Sequence, residues 1–216
     1  MTCPIADTIF SPTDGKALPA YPFEFKPVEF KPAESCYTLY VTTISWEQAK
    51  NLCEALTINA EEVNARLVAI SSIEEHENVL GSLIDLKNHL KKDKNVTLEG
   101  PWTLGVRNFS VKSPQEAGAF YWSGDSINWW MPSEPWLIFP CAEDCADNNG
   151  QHAFWGNRGG NEQQPDYYLP ELPSLPDPHC VRYGISDPWL NGAPGLADDK
   201  CTDEKSFICE WHAQSP

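Results

Sequence analysis

An α+β fold is what these 216 residues predict, on three observations. Apolar residues recur with the period of a helix over residues 45–56 and again over 73–90. Beyond residue 100 the period falls to two, the spacing of strands. Between Asp125 and His179 no period holds, and proline recurs from Pro132 to Pro178. Helices followed by short strands, rather than strict alternation of the two, is an α+β order. An irregular stretch of this length inside a compact domain is commonly functional.

The elements follow in chain order. Residues 1–35 are read as a proline-rich arm of the same domain as residues 36–212. In it, Glu24-Phe25-Lys26-Pro27 is echoed by Glu29-Phe30-Lys31-Pro32. Proline blocks helix and removes a ladder donor, so the arm is expected to be extended, as an edge strand or as a spacer held down by its aromatic residues. Alternation at Tyr37, Leu39 and Val41 predicts the first strand of the body. Ser45 with Gln48 forms a capping box, and Ala49, Leu52, Cys53 and Leu56 fall at i, i+3, i+4 and i+7, which puts Cys53 on a buried helix face. Residues 66–70 read as a short apolar strand. Ser72 with Glu75 caps a second helix, whose stripe of Ile73, Leu80, Leu83 and Leu90 carries it to about residue 90. His76 and His89 on that helix are expected in solvent. Strands are then expected at Trp102, Leu104 and Val106, at Phe120 and Trp122, at Val181 and Tyr183, and at Phe207 and Cys209. Trp46, Trp102 and Trp122 are expected in the core. Trp136 and Trp155, in the irregular stretch, are expected at a surface, either binding a ligand or pinning the stretch to the body.

The net charge of −16 excludes some partners. A phosphate backbone or an anionic membrane surface repels it, whereas calcium is attracted. No apolar run approaches the roughly twenty residues that span a bilayer. Eight cysteines, together with the acceptor triplets Asn95-Val96-Thr97 and Asn108-Phe109-Ser110, favour an oxidising, extracellular setting. The competing reading is zinc held by Cys141, Cys145 and His152, but the other cysteines lie singly and lack paired short spacings. Residues 1–10 lack a basic segment followed by an apolar run, so no signal peptide is read there and a secreted protein would be in its mature form.

Several motifs, taken in order, resemble those of C-type lectin-like domains. Cys3-Pro4 opens the chain and Cys36-Tyr37 the first strand, and Trp46-x2-Ala49-x3-Cys53 lies on the first helix. The run Ala65-Arg66-Leu67-Val68-Ala69-Ile70 leads into Ser72-x2-Glu75. Thr103-Leu104-Gly105-Val106 stands where the family has a Trp-Ile-Gly-Leu strand, with Trp102 one position displaced. Phe120-Tyr121-Trp122-Ser123-Gly124-Asp125 is similar to its aromatic turn. Cys180-Val181 is followed by Trp189, and Cys201 by the closing Phe207-Ile208-Cys209-Glu210.

The resemblance implies disulfides Cys53–Cys209, Cys180–Cys201 and Cys3–Cys36, leaving Cys141 and Cys145 for a local bridge. It also implies carbohydrate recognition bridged by calcium, an ion that takes six to eight oxygen ligands. Two triplets compete for the family's Glu-Pro-Asn or Gln-Pro-Asp mark. Glu134-Pro135-Trp136 has the expected place after the aromatic turn, but its third residue offers no oxygen. Gln164-Pro165-Asp166 is chemically intact and galactose-like. The expected ligand-binding residues are therefore Gln164, Asp166, Trp155, Trp136 and Glu134, and the expected metal ligands are Gln164, Asp166, Glu171, Asn191 and Asp198. Trp189-Leu190-Asn191 occupies the Trp-Asn-Asp position, whereas Asp198 stands three residues before Cys201. The partner implied is a glycan or glycoprotein, with oligomers possible. The alternative is a calcium-independent protein-binding or structural module. An enzyme is not expected: no histidine stands at motif spacing from a Ser or Cys nucleophile, and bridged cysteines leave no thiolate.

Overall fold

The computed structural model describes residues 7–10, 15–25, 35–59, 61–70, 73–94, 98, 100–107, 120–122, 137–138, 157–158, 162–163, 179–185 and 194–212. Its first elements are β1 (Ala20–Phe25), β2 (Ser35–Ile44), α1 (Trp46–Glu54), the hairpin strands β3 (Thr57–Ile58) and β4 (Glu61–Glu62), β5 (Arg66–Leu67) and α2 (Ile73–Lys94). Then come β6 (Trp102–Arg107), β7 (Phe120–Trp122), β8 (Leu137–Ile138), β9 (Asn157–Arg158), β10 (Glu162–Gln163), β11 (His179–Gly184), β12 (Gly195–Lys200) and β13 (Lys205–His212). The main sheet runs β1-β2-β13-β6-β11-β12, with β5 against β13, and β7 and β8 continuing from β6. The α+β expectation holds.

The arm supplies an edge strand: β1 lies antiparallel to β2, with Tyr21 opposite Leu39. The repeated Glu-Phe-Lys-Pro segment runs beyond the described residues. β2 is buried along most of its length on both faces, so the alternation at Tyr37, Leu39 and Val41 is only half its pattern. On the other face Tyr40 stacks on Phe207 at 4.9 Å between centroids. Before β1, Asp7 holds the β3–β4 turn, accepting from Thr57 Oγ1 at 2.8 Å and from the amide of Asn59 at 3.1 Å. Asn59 has φ 55°, a left-handed conformation that Asn tolerates better than most residues.

α1 forms as its sequence predicts. Ser45 caps it, and its amide donates to Gln48 Oε1 at 3.2 Å. Ala49 and Cys53 are buried, and so is Leu56 just past the helix end. α2 runs on to Lys94 rather than stopping near 90, because Lys91 and Lys92 continue the helix on its solvent side. His76 corrects another expectation. It is buried, since it stands three, four and seven residues before Val79, Leu80 and Leu83 and shares their inward face. His89 is exposed as expected. Residues 66–70 pair as a strand only at β5. Beyond it, the Val68 amide donates to Ile208 O at 3.0 Å and its carbonyl accepts from Leu104 at 2.9 Å.

Two tryptophans cross-brace the core. Trp46 Nε1 donates to Thr103 O at 2.7 Å, and Trp102 Nε1 to Ile44 O at 3.0 Å. Gly100 sits so close to the Tyr183 carbonyl and the Arg182 side chain that a Cβ there has no room. Disulfides join Cys53 to Cys209 and Cys180 to Cys201, the pairs that the resemblance implies. Cys36 is also disulfide-bonded, to a partner outside the described residues.

Chain entropy ranks the two bridges by loop length. With separations of 156 and 21 residues, loss of Cys53–Cys209 is expected to cost about 5 kcal/mol and loss of Cys180–Cys201 about 3 kcal/mol. Denaturant unfolding of the paired Cys→Ala variants checks that order.

Candidate functional site

The site is built on β6. On one side β7 pairs with it, Gly105 opposite Trp122, and on the other β11 does, Val106 opposite Cys180. β7 therefore ends opposite the middle of β6 and β11 begins beside its C-terminal end, on the two opposite edges of that strand, about two strand spacings or ~10 Å apart across the sheet. β6 is itself held to β11 by Thr103 Oγ1, which donates to Val181 O at 2.9 Å. Within the stretch, β8 adds to the edge of β7, with Tyr121 opposite Leu137. β9 and β10 make a separate small ladder, Asn157 opposite Gln163 and Arg158 opposite Glu162.

Of the residues expected at the site, Asp198 is described. Glu134, Trp136, Trp155, Gln164, Asp166, Glu171 and Asn191 lie outside the described residues, as do Cys3, Cys141, Cys145, Asn95 and Asn108. Asp198 is buried on β12, opposite Val181. Its Oδ2 lies 2.8 Å from Nδ1 of His179, the residue at which the long stretch re-enters the sheet. Its Oδ1 is buried and makes no hydrogen bond among the described residues. The next residue, Asp199, faces the opposite side between Arg182 and Lys205, with Lys205 Nζ at 3.2 Å. Burial would raise the Asp199 carboxyl, but the two cations and their hydrogen bonds outweigh it and hold it below the usual range.

Sequence reasoning missed His179. It directly precedes Cys180, but only the β11–β12 ladder brings it to a residue 19 positions away. β12 was itself hidden, because Leu-Ala-Asp-Asp shows no alternation, yet residues 195–198 are all buried.

These residues test whether the strand edge suits calcium. The Oδ1 of Asp198 is the sort of oxygen a cation uses. Its neighbours are not: Leu196 and Ala197 offer no side-chain oxygen, Asp199 is held by two cations, and the other Asp198 oxygen faces an imidazole nitrogen. Calcium wants a shell of oxygens, and the described residues of this edge do not make one. Among the described residues no group of three or more His, Cys, Asp or Glu side chains gathers as a metal site.

No protein-family profile matches this chain, and no curated protein sequence does. Among solved structures, human lithostathine is similar over 86% of this chain and 87% of its own, with 16% identity and a TM-score of 0.43. The C-type lectin CEL-I from Cucumaria echinata is similar over 82% and 89%, with 13% identity and a TM-score of 0.40. EMS16, an antagonist of the collagen receptor integrin α2β1, is similar over 87% and 100%, with 15% identity and a TM-score of 0.37. The bridge from the first helix to the last strand and the bridge beside the long stretch are pairs that the resemblance implies. This is a C-type lectin-like fold. At the strand-borne end of the expected calcium site, Asp198 Oδ2 faces His179 Nδ1 at 2.8 Å.

That pair sets a stability expectation. His179→Leu leaves Asp198 buried without its partner and is expected to cost about 3 kcal/mol or more, whereas His179→Leu with Asp198→Leu recovers much of the loss. Equilibrium unfolding of both variants measures the difference.

Proposed function

We propose that the chain is a secreted, non-enzymatic recognition module that binds carbohydrate, free or on glycoproteins, through residues 123–178. The observation that carries this reading is the β9–β10 ladder. Trp155 stands two residues before it and Gln164 directly after it, so chain connectivity tethers an aromatic face and the Gln164-Pro165-Asp166 triplet to neighbouring strand ends. A ring stacks on the apolar face of a sugar while amide and carboxylate oxygens accept from its hydroxyls. Glu134 and Trp136 are the further residues expected to contact the sugar. The Gln-Pro-Asp order favours galactose-type ligands, by the resemblance. The disulfides support an extracellular setting. No described helix is long and apolar enough to cross a membrane.

On this reading a bridging calcium depends on Gln164, Asp166, Glu171 and Asn191, since Asp198 is engaged by His179. Such an ion would link protein oxygens to two vicinal sugar hydroxyls. Affinity for one sugar is expected to be about millimolar, near −4 kcal/mol, so useful binding requires several copies. A second reading, a calcium-independent protein-binding module, is favoured by the His179–Asp198 pair itself.

Thermal unfolding with calcium, and then with chelator, separates the two. Calcium at one hundred times its dissociation constant adds about 2.7 kcal/mol if a site exists. An unchanged midpoint removes the calcium-bridged reading, and a glycan array on which Gln164→Ala/Asp166→Ala binds like the wild type shows that this triplet is not the site.

A further inference from the structure

The sheet face covered by α2 buries more charge than packing requires. Glu75 on α2 and Glu210 on β13 are 3% and 2% exposed. Both meet Tyr37 of β2, whose hydroxyl donates to Glu75 Oε1 at 2.7 Å and which stands opposite Glu210 in the ladder. On the other side of Glu210 is Arg66 of β5, its register partner there, with Nε 3.5 Å from Glu210 Oε2. The same oxygen accepts from the Ala69 amide at 3.1 Å. On this face, too, Tyr183 of β11 stacks on His76 of α2 at 5.6 Å between centroids, its hydroxyl 3.4 Å from Nδ1. Tyr37, Arg66, Glu75 and Tyr183 are thus titratable or charged groups that β2, β5, α2 and β11 bring to act on Glu210 or be acted on by it.

Two carboxylates buried around one tyrosine are costly if both are ionised. Desolvation opposes each charge, each opposes the other, and the guanidinium beside Glu210 compensates for one. We propose that Glu210 carries a proton in the folded protein, and that this buried proton, by keeping a second negative charge away from Glu75, fastens α2 to the sheet and loosens it as the pH rises.

The directions agree. Burial, with Glu75 adding and Arg66 opposing, pushes the Glu210 carboxyl up to about 7 from 4.5. Burial pushes the His76 imidazole down to about 4 from 6.5. Burial and the two carboxylates raise Tyr37 and Tyr183 well above the usual tyrosine range, keeping both neutral. A carboxyl raised in the folded state stabilises fully below its unfolded value of 4.5, and that stabilisation is lost as the pH climbs through about 7. His76 has the opposite sign: its contribution is full above 6.5 and is lost as the pH falls toward 4. Between 4.5 and 6.5 the two oppose each other, so the wild-type profile conceals the Glu210 proton.

His76→Gln removes the masking titration. Its thermal midpoint is expected to fall steadily from about pH 5 to about pH 8, and that of His76→Gln/Glu210→Gln to stay level over the same interval. A double variant with the slope of the single one overturns the proposal. Should the variants fail to fold, carbon NMR of the wild-type side-chain carboxyls decides it. The Glu210 carboxyl is expected to titrate near neutrality, with the amides of the first turns of α2 shifting at the same midpoint. A Glu210 carboxyl already ionised at about pH 5, or α2 amides that do not follow it, contradicts the proposal.

Discussion

The ladder between β2 and β13 is the constraint on which the rest of the fold depends. It pairs residues 35–44 with residues 205–212, almost the two extremes of the body, from Ser35 opposite His212 to Ile44 opposite Lys205. Closing so long a loop is entropically costly, and the cost is met by strands buried on both faces and by Cys53–Cys209, which ties α1 to the same ladder. Several elements dock directly on this pair. β1 extends it at one edge, β5 lies on β13, and Trp102 reaches back to the end of β2. α2 rests on the face that carries Tyr37 and Glu210.

A scaffold closed in this way can carry a long irregular segment at little risk to its core. Residues 123–178 depart and return on either side of β6, which is itself held between β13 and β11. Sequence change within the segment need not disturb the ladders that hold its ends, the usual logic of binding loops on rigid frames. Where the segment rejoins the sheet, the fold invests in electrostatics rather than in apolar packing alone. His179 and Asp198 lie on one face of the β11–β12 pair, and Arg182, Asp199 and Lys205 on the other.

Much of the scaffold was legible because short-range rules set it. The Ser45–Gln48 box and the apolar spacing of Ala49 and Cys53 define α1 without reference to anything distant. The order of cysteine-bearing motifs led to both described bridges. What escaped is what only tertiary pairing decides. β12 lacks a period because both its faces are buried. His76 was read as solvated because histidine is polar, although its spacing to Val79, Leu80 and Leu83 places it inward. At the candidate site, Asp198 was found from its distance to Cys201, but its partner could not be, because adjacency across two strands leaves no mark in the chain. The same holds for Tyr37 meeting Glu75 and Glu210, three residues from three elements.

Native-state hydrogen exchange tests most directly whether the β2–β13 clasp organises the fold. The amides of Leu39, Tyr40, Ile208 and Cys209 are expected to exchange most slowly, only through global unfolding, with those of the β3–β4 hairpin and of β12 opening earlier. If the β2 and β13 amides exchange as fast as the hairpin while α2 or β11 stays protected, the clasp is not what holds the domain together.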